Sequence, residues 1–202
     1  MKMKKISFIF AALLLAVSCF ANNDAVIKAI KSANASYKNV VCDFEQAKHL
    51  KIVKEPVLSA GKLYYEGEKM SMLYTQPEGE YFKITENTLS MKSGKNKMNK
   101  TLKGDSPFML LRNLLIYSMK GDINALAEMA KSNVEYKSTA SQDQFVFTSK
   151  EKISKGYNKI VLYFNKSSHI IEYMELHQPT GNYTTYTLKN IKTSGVIPAE
   201  AF

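Results

Sequence analysis

Cysteine, tryptophan and arginine are scarce in this 202-residue sequence, which contains no tryptophan, two cysteines and one arginine, Arg112. Cys19 lies in the first 21 residues, which are predicted below to be removed as a signal peptide. Only Cys42 then remains in the mature chain. A disulfide framework, a CxxC redox motif and a cysteine-based metal cluster are therefore excluded within the mature chain. Cys42 alternates with Val40 and Phe44, a pattern that predicts a buried and unreactive thiol.

The sequence also lacks the common signatures of catalysis and metal binding. Its three histidines, at 49, 169 and 177, show no HExxH spacing, and no GxSxG motif is present. We therefore expect a protein that is not an enzyme and that requires no metal or other cofactor.

Long apolar runs are absent except near the start. Lys2, Lys4 and Lys5 precede the apolar stretch 6–17, which is short for a membrane span and typical of a signal peptide. Cleavage after Ala21 is the favoured interpretation, with lipidation of Cys19 as the alternative. We expect residues 1–21 to be a signal peptide and residues 22–202 to form one domain.

The mature chain is basic. Removing the three leader lysines from the formal charge of +10 leaves +7. In a secreted protein, this excess favours anionic lipid, glycan or acidic polypeptide as a partner over nucleic acid. The lysines at 92, 95, 97, 100 and 103 form one run, which predicts a solvated hairpin, or alternatively a contact with anionic headgroups.

Most of the chain has the two-residue period of strands. Asp24 is positioned to begin a first helix, after which turn signals separate short alternating segments. The segments are, in order, VVCDFE, AGKLYYEG, KMSMLYTQP, EYFKIT, TLSMKS, KNKMNKTLK, NVEYKST, DQFVFTSK, NKIVLYFN, HIIEYMELHQ and NYTTYTLKNIK. They predict a mainly β (α+β) fold, a meander of about ten or eleven antiparallel strands that forms a barrel or a deeply curved sheet.

One predicted helix is apolar on more than one side. Ser106 suits its N-cap, Pro107 its first turn and Gly121 its exit. Nine of its residues are apolar, whereas a surface helix needs an apolar stripe only a little over ~100° wide. The helix is therefore either part of the core or a lid between the sheet and a ligand. Its predicted partner DINALAEMAK forms a short second helix capped by Asp122.

Several of these pieces, in their order and spacing, resemble the LolA family of periplasmic lipoprotein carriers, most closely its Bacteroidetes-like type. They are FEQAK, GKLYY, KMSMLYTQP, SPFMLL, HIIEYMELHQPTGNYTTYTLKNI and IPAEAF. The resemblance implies an incomplete antiparallel β-barrel with helices as a lid over an apolar cavity that holds acyl chains.

The resemblance also implies which side chains contact the lipid. They are bulky apolar residues on two neighbouring strands, on the lid helix and on the HIIEYMEL strand. The candidate lipid-binding residues are Leu63, Tyr65, Met70, Met72, Tyr74, Phe108, Leu111, Leu115 and Tyr173. Methionines in these elements suit a cavity for varied apolar ligands, although ordinary core packing explains them as well.

The sequence departs from the family at one point. The family has an arginine near the start of the KMSMLY strand that holds the lid shut, whereas this chain has Glu66, Lys69 and Ser71 there. Lys69 lacks the planar fork of donors that makes arginine effective. Arg112, on the lid helix, either replaces this contact from the other side or extends into solvent.

The resemblance implies a monomeric periplasmic chaperone for triacylated lipoproteins. Its expected partners are the inner-membrane ABC transporter that releases lipoproteins and a LolB-like outer-membrane acceptor where one exists. Two other functions remain open: a carrier of another lipid or glycolipid, and an envelope-stress lipid sensor with the same half-barrel.

Overall fold

A computed structural model describes residues 23–104 and 106–202. The predicted signal peptide and Cys19 lie outside the described residues. The first helix, α1, occupies residues 23–36 of the described chain.

Eleven strands follow among the described residues, interrupted by two helices. The first six strands are β1 (Val40–His49), β2 (Val57–Glu66), β3 (Lys69–Gln76), β4 (Glu78–Ile84), β5 (Thr88–Ser93) and β6 (Asn96–Thr101). Next come α2 (Pro107–Lys120) and α3 (Ile123–Met129). The last five strands are β7 (Ser132–Ser138), β8 (Gln142–Ser149), β9 (Lys159–Asn165), β10 (Ile171–His177) and β11 (Tyr183–Lys192). A short 3-10 helix, Ala199–Ala201, follows β11.

All eleven strands form one antiparallel sheet in the order β6-β5-β4-β3-β2-β1-β11-β10-β9-β8-β7. Two meanders, β1–β6 and β7–β11, are joined where β1 pairs with β11, for example at Phe44 and Leu188. The edge strands β6 and β7 do not pair with each other, so the sheet stays open. The predicted mainly β, incomplete barrel of about ten or eleven strands is confirmed.

The sheet has an inner face that packs against the helices and an outer face. On β3, Met70 and Met72 point inward and are nearly fully buried. Ser71 points outward yet is also fully buried. The chain end provides the cover, because Lys83, paired with Ser71, donates to the carbonyl of Glu200, and the Lys69 ammonium lies 5.6 Å from the Phe202 ring centre.

Helix α2 begins and ends at the predicted residues. The Ser106 hydroxyl accepts a hydrogen bond from the Met109 amide at 3.2 Å. Gly121 ends the helix in the left-handed conformation, at φ 63°. A side chain at Gly121 would also collide with Ile30 of α1, since its Cβ would lie 2.5 Å from an Ile30 methyl carbon. The helix is therefore covered by α1 and α3 on one side and by the sheet on another, which explains its two apolar sides.

Candidate functional site

A cavity of about 680 Å³ lies between the inner face of the sheet and α2. Strands β1 to β5 and β11 supply its wall, and Leu111 and Leu115 of α2 face it. Its apolar lining is completed by Met72, Tyr74, Phe82, Met91, Tyr157 and Tyr186. The volume lies within the range of about 300–1,000 Å³ that is typical of ligand sites. At the open edge the lining becomes polar, with Lys48, Gln76, Glu80 and Lys92.

The apolar wall follows from strand register. Leu63 pairs with Met72, Met72 with Phe82, and Phe82 with Met91, so one row of apolar side chains crosses four strands. Side chains directly opposite each other on antiparallel strands touch on the same face. Two of the four are methionines, whose flexible thioethers adapt to apolar ligands of different shape.

A glycine brings two aromatic rings together beside this row. Gly61 lies between Phe44 of β1 and Tyr74 of β3 in the register. A Cβ at Gly61 would lie 2.1 Å from the Leu73 carbonyl oxygen, so no larger residue fits there. The Phe44 and Tyr74 rings meet edge to face, with centroids 5.0 Å apart.

The cavity also contains a hydrogen-bonded polar chain. The Tyr74 hydroxyl donates to the Gln46 side-chain oxygen at 3.1 Å, and the Gln46 amide donates to the Tyr186 hydroxyl at 3.0 Å. Burial raises the pKa of Tyr74 to about 12 and raises the pKa of Tyr186 as well. Both phenols therefore stay neutral at physiological pH. The cavity wall contains hydrogen-bonded polar groups at this point but no charged group.

Helix α2 is fastened to the β2–β3 turn by an ion-pair cluster of Glu68, Arg112 and Lys120. The Arg112 guanidinium contacts the Glu68 carboxylate at 2.6 Å, and Lys120 binds the other carboxylate oxygen. Arg112 is only 8% exposed and also donates to the Asn113 side chain at 2.9 Å. Arg112 thus joins α2 to the β2–β3 turn of the sheet. Its partner Glu68 was not among the predicted residues.

Opposing effects set the pKa of Glu68. Burial, the largest single effect, raises the pKa of this carboxyl. The hydrogen bonds from Lys120 and Arg112 and the charges of both cations together outweigh it, so the pKa falls below its ordinary value. The cluster therefore holds an ionised glutamate at neutral pH.

The structure divides the predicted site residues into groups. Met72, Tyr74, Leu111 and Leu115 line the cavity. Leu63, Tyr65 and Met70 point to the same inner face but are buried in the core. Phe108 is half-buried on the first turn of α2 and does not line the cavity.

Tyr173 is placed differently, and its predicted position in the cavity is wrong. It lies on the outer face, where its ring packs against Tyr163 with centroids 5.2 Å apart. A register irregularity between Ile171 and Tyr173 changes which side chains point inward. Met174 and Leu176 of the same strand take the buried inner positions instead.

Four residues of the lining were not among the candidate lipid-binding residues: Phe82, Met91, Tyr157 and Tyr186. A signal exists for two of them, because Phe82 and Met91 continue the Met72 row once the two hairpins are aligned. Tyr157 lies in the β8–β9 connection and carries no periodic signal.

The remaining titratable candidates lie outside the cavity. Burial raises the pKa of the Cys42 thiol to about 12, so it stays protonated and unreactive. His49 and His177 both stack on Tyr183 on the outer face, with ring centroids 4.2 and 5.0 Å away.

Across residues 23–104 and 106–202, no group of three His, Cys, Asp or Glu side chains is arranged to hold a metal ion. In the same residues, no helix has the length and apolarity needed to cross a bilayer.

The predicted lysine run is mostly solvated. Lys95, Lys97, Lys100 and Lys103 are exposed, whereas Lys92 is half-buried at the polar edge of the cavity. The run therefore lies on a solvated hairpin.

Comparison with known proteins gives one match by sequence and several by structure. The family model described as "Outer membrane lipoprotein carrier protein LolA" matches residues 35–202. No curated protein matches the chain.

Three solved structures with similar architecture are all distant in sequence. A LolA superfamily protein from Nitrosomonas europaea is 9% identical, with a TM-score of 0.42 and coverage of 89% of this chain and 96% of that one. LppX, a lipoprotein of Mycobacterium tuberculosis, is 10% identical, with a TM-score of 0.45 and coverages of 86% and 96%. The MucA/MucB complex of Pseudomonas aeruginosa contains a chain that is 9% identical, with a TM-score of 0.49 and coverages of 87% and 58%.

Proposed function

Since the chain belongs to the LolA family of outer membrane lipoprotein carrier proteins, we propose that it binds the acyl chains of lipoproteins and carries them to the outer membrane. The observation that carries this proposal is the apolar cavity under α2, which is open at one edge of the sheet. A binding site of this kind needs no reacting group.

The mechanism is the replacement of water by apolar side chains. Each CH₂ group of an acyl chain left in water costs about 0.8 kcal/mol, so a triacylated protein does not cross an aqueous compartment exposed. Met72, Phe82 and Leu111 offer the apolar surface that replaces this water. The neutral chain of Tyr74, Gln46 and Tyr186 avoids placing an unpaired charge beside the lipid.

Cargo binding requires α2 to move. A cavity of about 680 Å³ has the size of a site for a small ligand rather than for three acyl chains. The ion-pair cluster of Glu68, Arg112 and Lys120 is the polar contact that fastens α2 to the β2–β3 turn. Opening must cost no more than a few kcal/mol, because the cargo has to supply this free energy through its preference for the open state.

The proposal includes a compartment and partners. Residues 1–21 direct the chain to the periplasm and are removed after Ala21, so that the mature protein begins at Asn22. Cargo is received as a triacylated lipoprotein from an inner-membrane ABC transporter and is passed to an outer-membrane acceptor of the LolB kind where one exists. The protein acts as a monomer and without a cofactor.

A pair of neighbouring substitutions on α2 tests the cavity. Leu111→Glu places a charge in the cavity, whereas Leu110→Glu places the same charge at a residue that is 44% exposed. We expect Leu111→Glu to weaken the binding of a purified triacylated lipoprotein by about 100-fold or more, and Leu110→Glu to leave it nearly unchanged. Equal binding by both folded variants would show that acyl chains do not enter this cavity.

Native mass spectrometry identifies the ligand class. Protein purified from its own periplasm is expected to carry a triacylated peptide. A free lipid or glycolipid in its place would contradict the lipoprotein assignment while leaving the cavity as the binding site.

A further inference from the structure

Exposed apolar side chains are concentrated in one short segment. Seven large apolar residues are exposed in the described part of the chain, and four of them lie between positions 52 and 58. Ile52 is 92% exposed, Leu58 63%, Val57 53% and Val53 48%. We name residues 50–58 the rim loop, since it contains the β1–β2 connection. A cluster of exposed aliphatic side chains is a feature that soluble surfaces rarely carry without a partner.

The rim loop lies at the open edge of the cavity. Val57 and Leu58 belong both to the rim loop and to the cavity lining. Because neighbouring strands are antiparallel, the connections 77, 94–95, 150–158 and 178–182 share the same edge of the sheet. Any surface that receives the rim loop therefore also faces the entrance of the cavity.

The two edges of the sheet differ in charge. The connections at the cavity edge, 50–56, 77, 94–95, 150–158 and 178–182, contain six lysines and two glutamates. The strand-to-strand connections at the opposite edge, 67–68, 85–87, 139–141 and 166–170, contain one lysine and two glutamates, and the connections of α1 to β1 and of β6 to α2 add Lys38 and Lys103. The cavity edge is therefore basic around its exposed aliphatic loop. Its lysines are attracted to an anionic surface, onto which the aliphatic side chains can then pack.

The rim loop is held by contacts at its base. The Lys51 amide donates to the Asn182 side-chain oxygen at 2.9 Å, and the Val53 amide donates to the Leu50 carbonyl at 2.9 Å. The His49 ring stacks on Tyr183 just before the loop begins. These contacts fix the base, while Ile52 and Val53 extend into solvent.

We propose that the rim loop docks the cavity entrance onto an anionic phospholipid bilayer. Ile52 and Val53 enter the boundary between headgroups and acyl chains, while Lys51 and Lys54 contact the headgroups. The aliphatic composition favours a bilayer over a protein partner, because residues 50–58 contain none of the tryptophan, tyrosine or arginine that dominate protein interfaces. This inference rests on the proposed carrier function, for which it names the surface where cargo enters or leaves, but its test requires no cargo.

Vesicle flotation with the cargo-free protein tests the proposal. The vesicles contain phosphatidylethanolamine with phosphatidylglycerol, and the matched variants are Ile52→Glu and Val196→Glu. Val196 is 89% exposed, but the adjacent Gly195 packs against Val41, on the opposite half of β1. We expect Ile52→Glu to reduce the partition coefficient at least tenfold and Val196→Glu to leave it within twofold. Binding of the natural chain is expected to weaken as salt is raised, because the lysine contribution is screened.

A fluorescent label separates insertion from adsorption. An Ile52→Cys variant carrying an environment-sensitive dye is expected to shift its emission to the blue on vesicle addition. Cys42 does not compete for the label, since it is buried and the pKa of its thiol is raised to about 12. An unshifted emission from bound protein would overturn the insertion of the loop.

Other outcomes overturn the proposal without touching the carrier function. Absent vesicle binding, or equal loss in both glutamate variants, would refute bilayer docking. A photo-cross-linker at position 52 that captures a protein while vesicles do not bind would assign the rim loop to a protein partner. Lipoprotein binding is measured on the natural chain and on both variants. A natural chain that binds lipoprotein but not vesicles refutes only this inference, whereas a natural chain that binds no lipoprotein refutes the carrier function.

Discussion

Phe147 and Phe82 both lie on the inner face of the same sheet, yet their surroundings differ. Phe147 is fully buried in the half of the sheet formed by β7–β10, where it pairs with Ile160 and where Phe145 and Leu162 are also fully buried. Phe82 is half-buried and faces the cavity in the half formed by β1–β6. The inner face is therefore filled in one half of the sheet, whereas the other half combines core residues such as Met70 with the cavity under α2.

The residue types differ in the same way. The filled half is built from phenylalanine, isoleucine and leucine, whose side chains pack closely in few rotamers. The open half presents methionine and tyrosine to the cavity, which combine flexibility with hydroxyl groups. The comparison teaches that close packing and an open cavity occupy different ends of one continuous sheet.

Truncating the same residue type in each half gives the largest expected difference. Phe147→Ala is expected to lower the free energy of unfolding by about 3–5 kcal/mol, because it leaves a hole in a filled core. Phe82→Ala is expected to cost only about 1–2 kcal/mol, since its ring is half-exposed to an existing cavity. Urea denaturation followed by circular dichroism measures both values, and equal losses would show that the halves do not differ in packing.

Removing the charge of Glu68 is expected to destabilise α2 over the cavity and to leave the strands β8 and β9 unaffected. Glu68→Gln leaves the buried Arg112 without its anion, at a cost of about 1–2 kcal/mol, between the values for exposed and buried pairs. Hydrogen exchange should accelerate in the amides of α2 and remain unchanged in β8 and β9. Faster exchange throughout the sheet would contradict a local role for the ion-pair cluster.

Low pH is expected to loosen α2 as well, but less than the Glu68→Gln substitution does. The pKa of Glu68 is lowered in the folded protein, so its ionisation stabilises the closed α2 at pH values above the unfolded value of about 4.3. That contribution is lost as pH falls through the folded pKa, when Glu68 becomes protonated beside Arg112, Lys120 and Tyr65. A dye on Leu110→Cys should therefore report movement of α2 below about pH 4.

The matched control for acid is the same labelled protein with Glu68→Gln added. It should show no transition in that pH range, because the titrating group is gone. A transition of equal size would assign the movement to other carboxyl groups.

Local patterns were sufficient to predict most of the fold. The two-residue period gave the strands, and Ser106 and Gly121 gave the ends of α2 because capping depends on neighbouring residues alone. The placement of Met72 and Tyr74 in the cavity came from the family resemblance. Strand alternation needs about four to eight residues of context and a helix cap about four, so both are readable from neighbouring residues.

The errors concern features that local patterns do not encode. Tyr173 was assigned to the cavity, but the irregularity after Ile171 turns it outward, and such a bulge leaves no mark in the alternation. Glu68 was missed because its partner Arg112 lies 44 positions later in the chain. Only the folded sheet and helix bring these two charges together.

The pairing of β1 with β11 has a consequence for how the chain folds. Glu45 on β1 accepts a hydrogen bond from Lys189 on β11, which lies 144 positions later in the sequence. The first meander therefore keeps an unpaired edge at β1 until β11 has been synthesised. Contacts between such distant segments slow folding, because the loop must close before any pairing is gained. During this interval the edge of β1 is unpaired, as that of β6 is, and is open to mispairing with another chain.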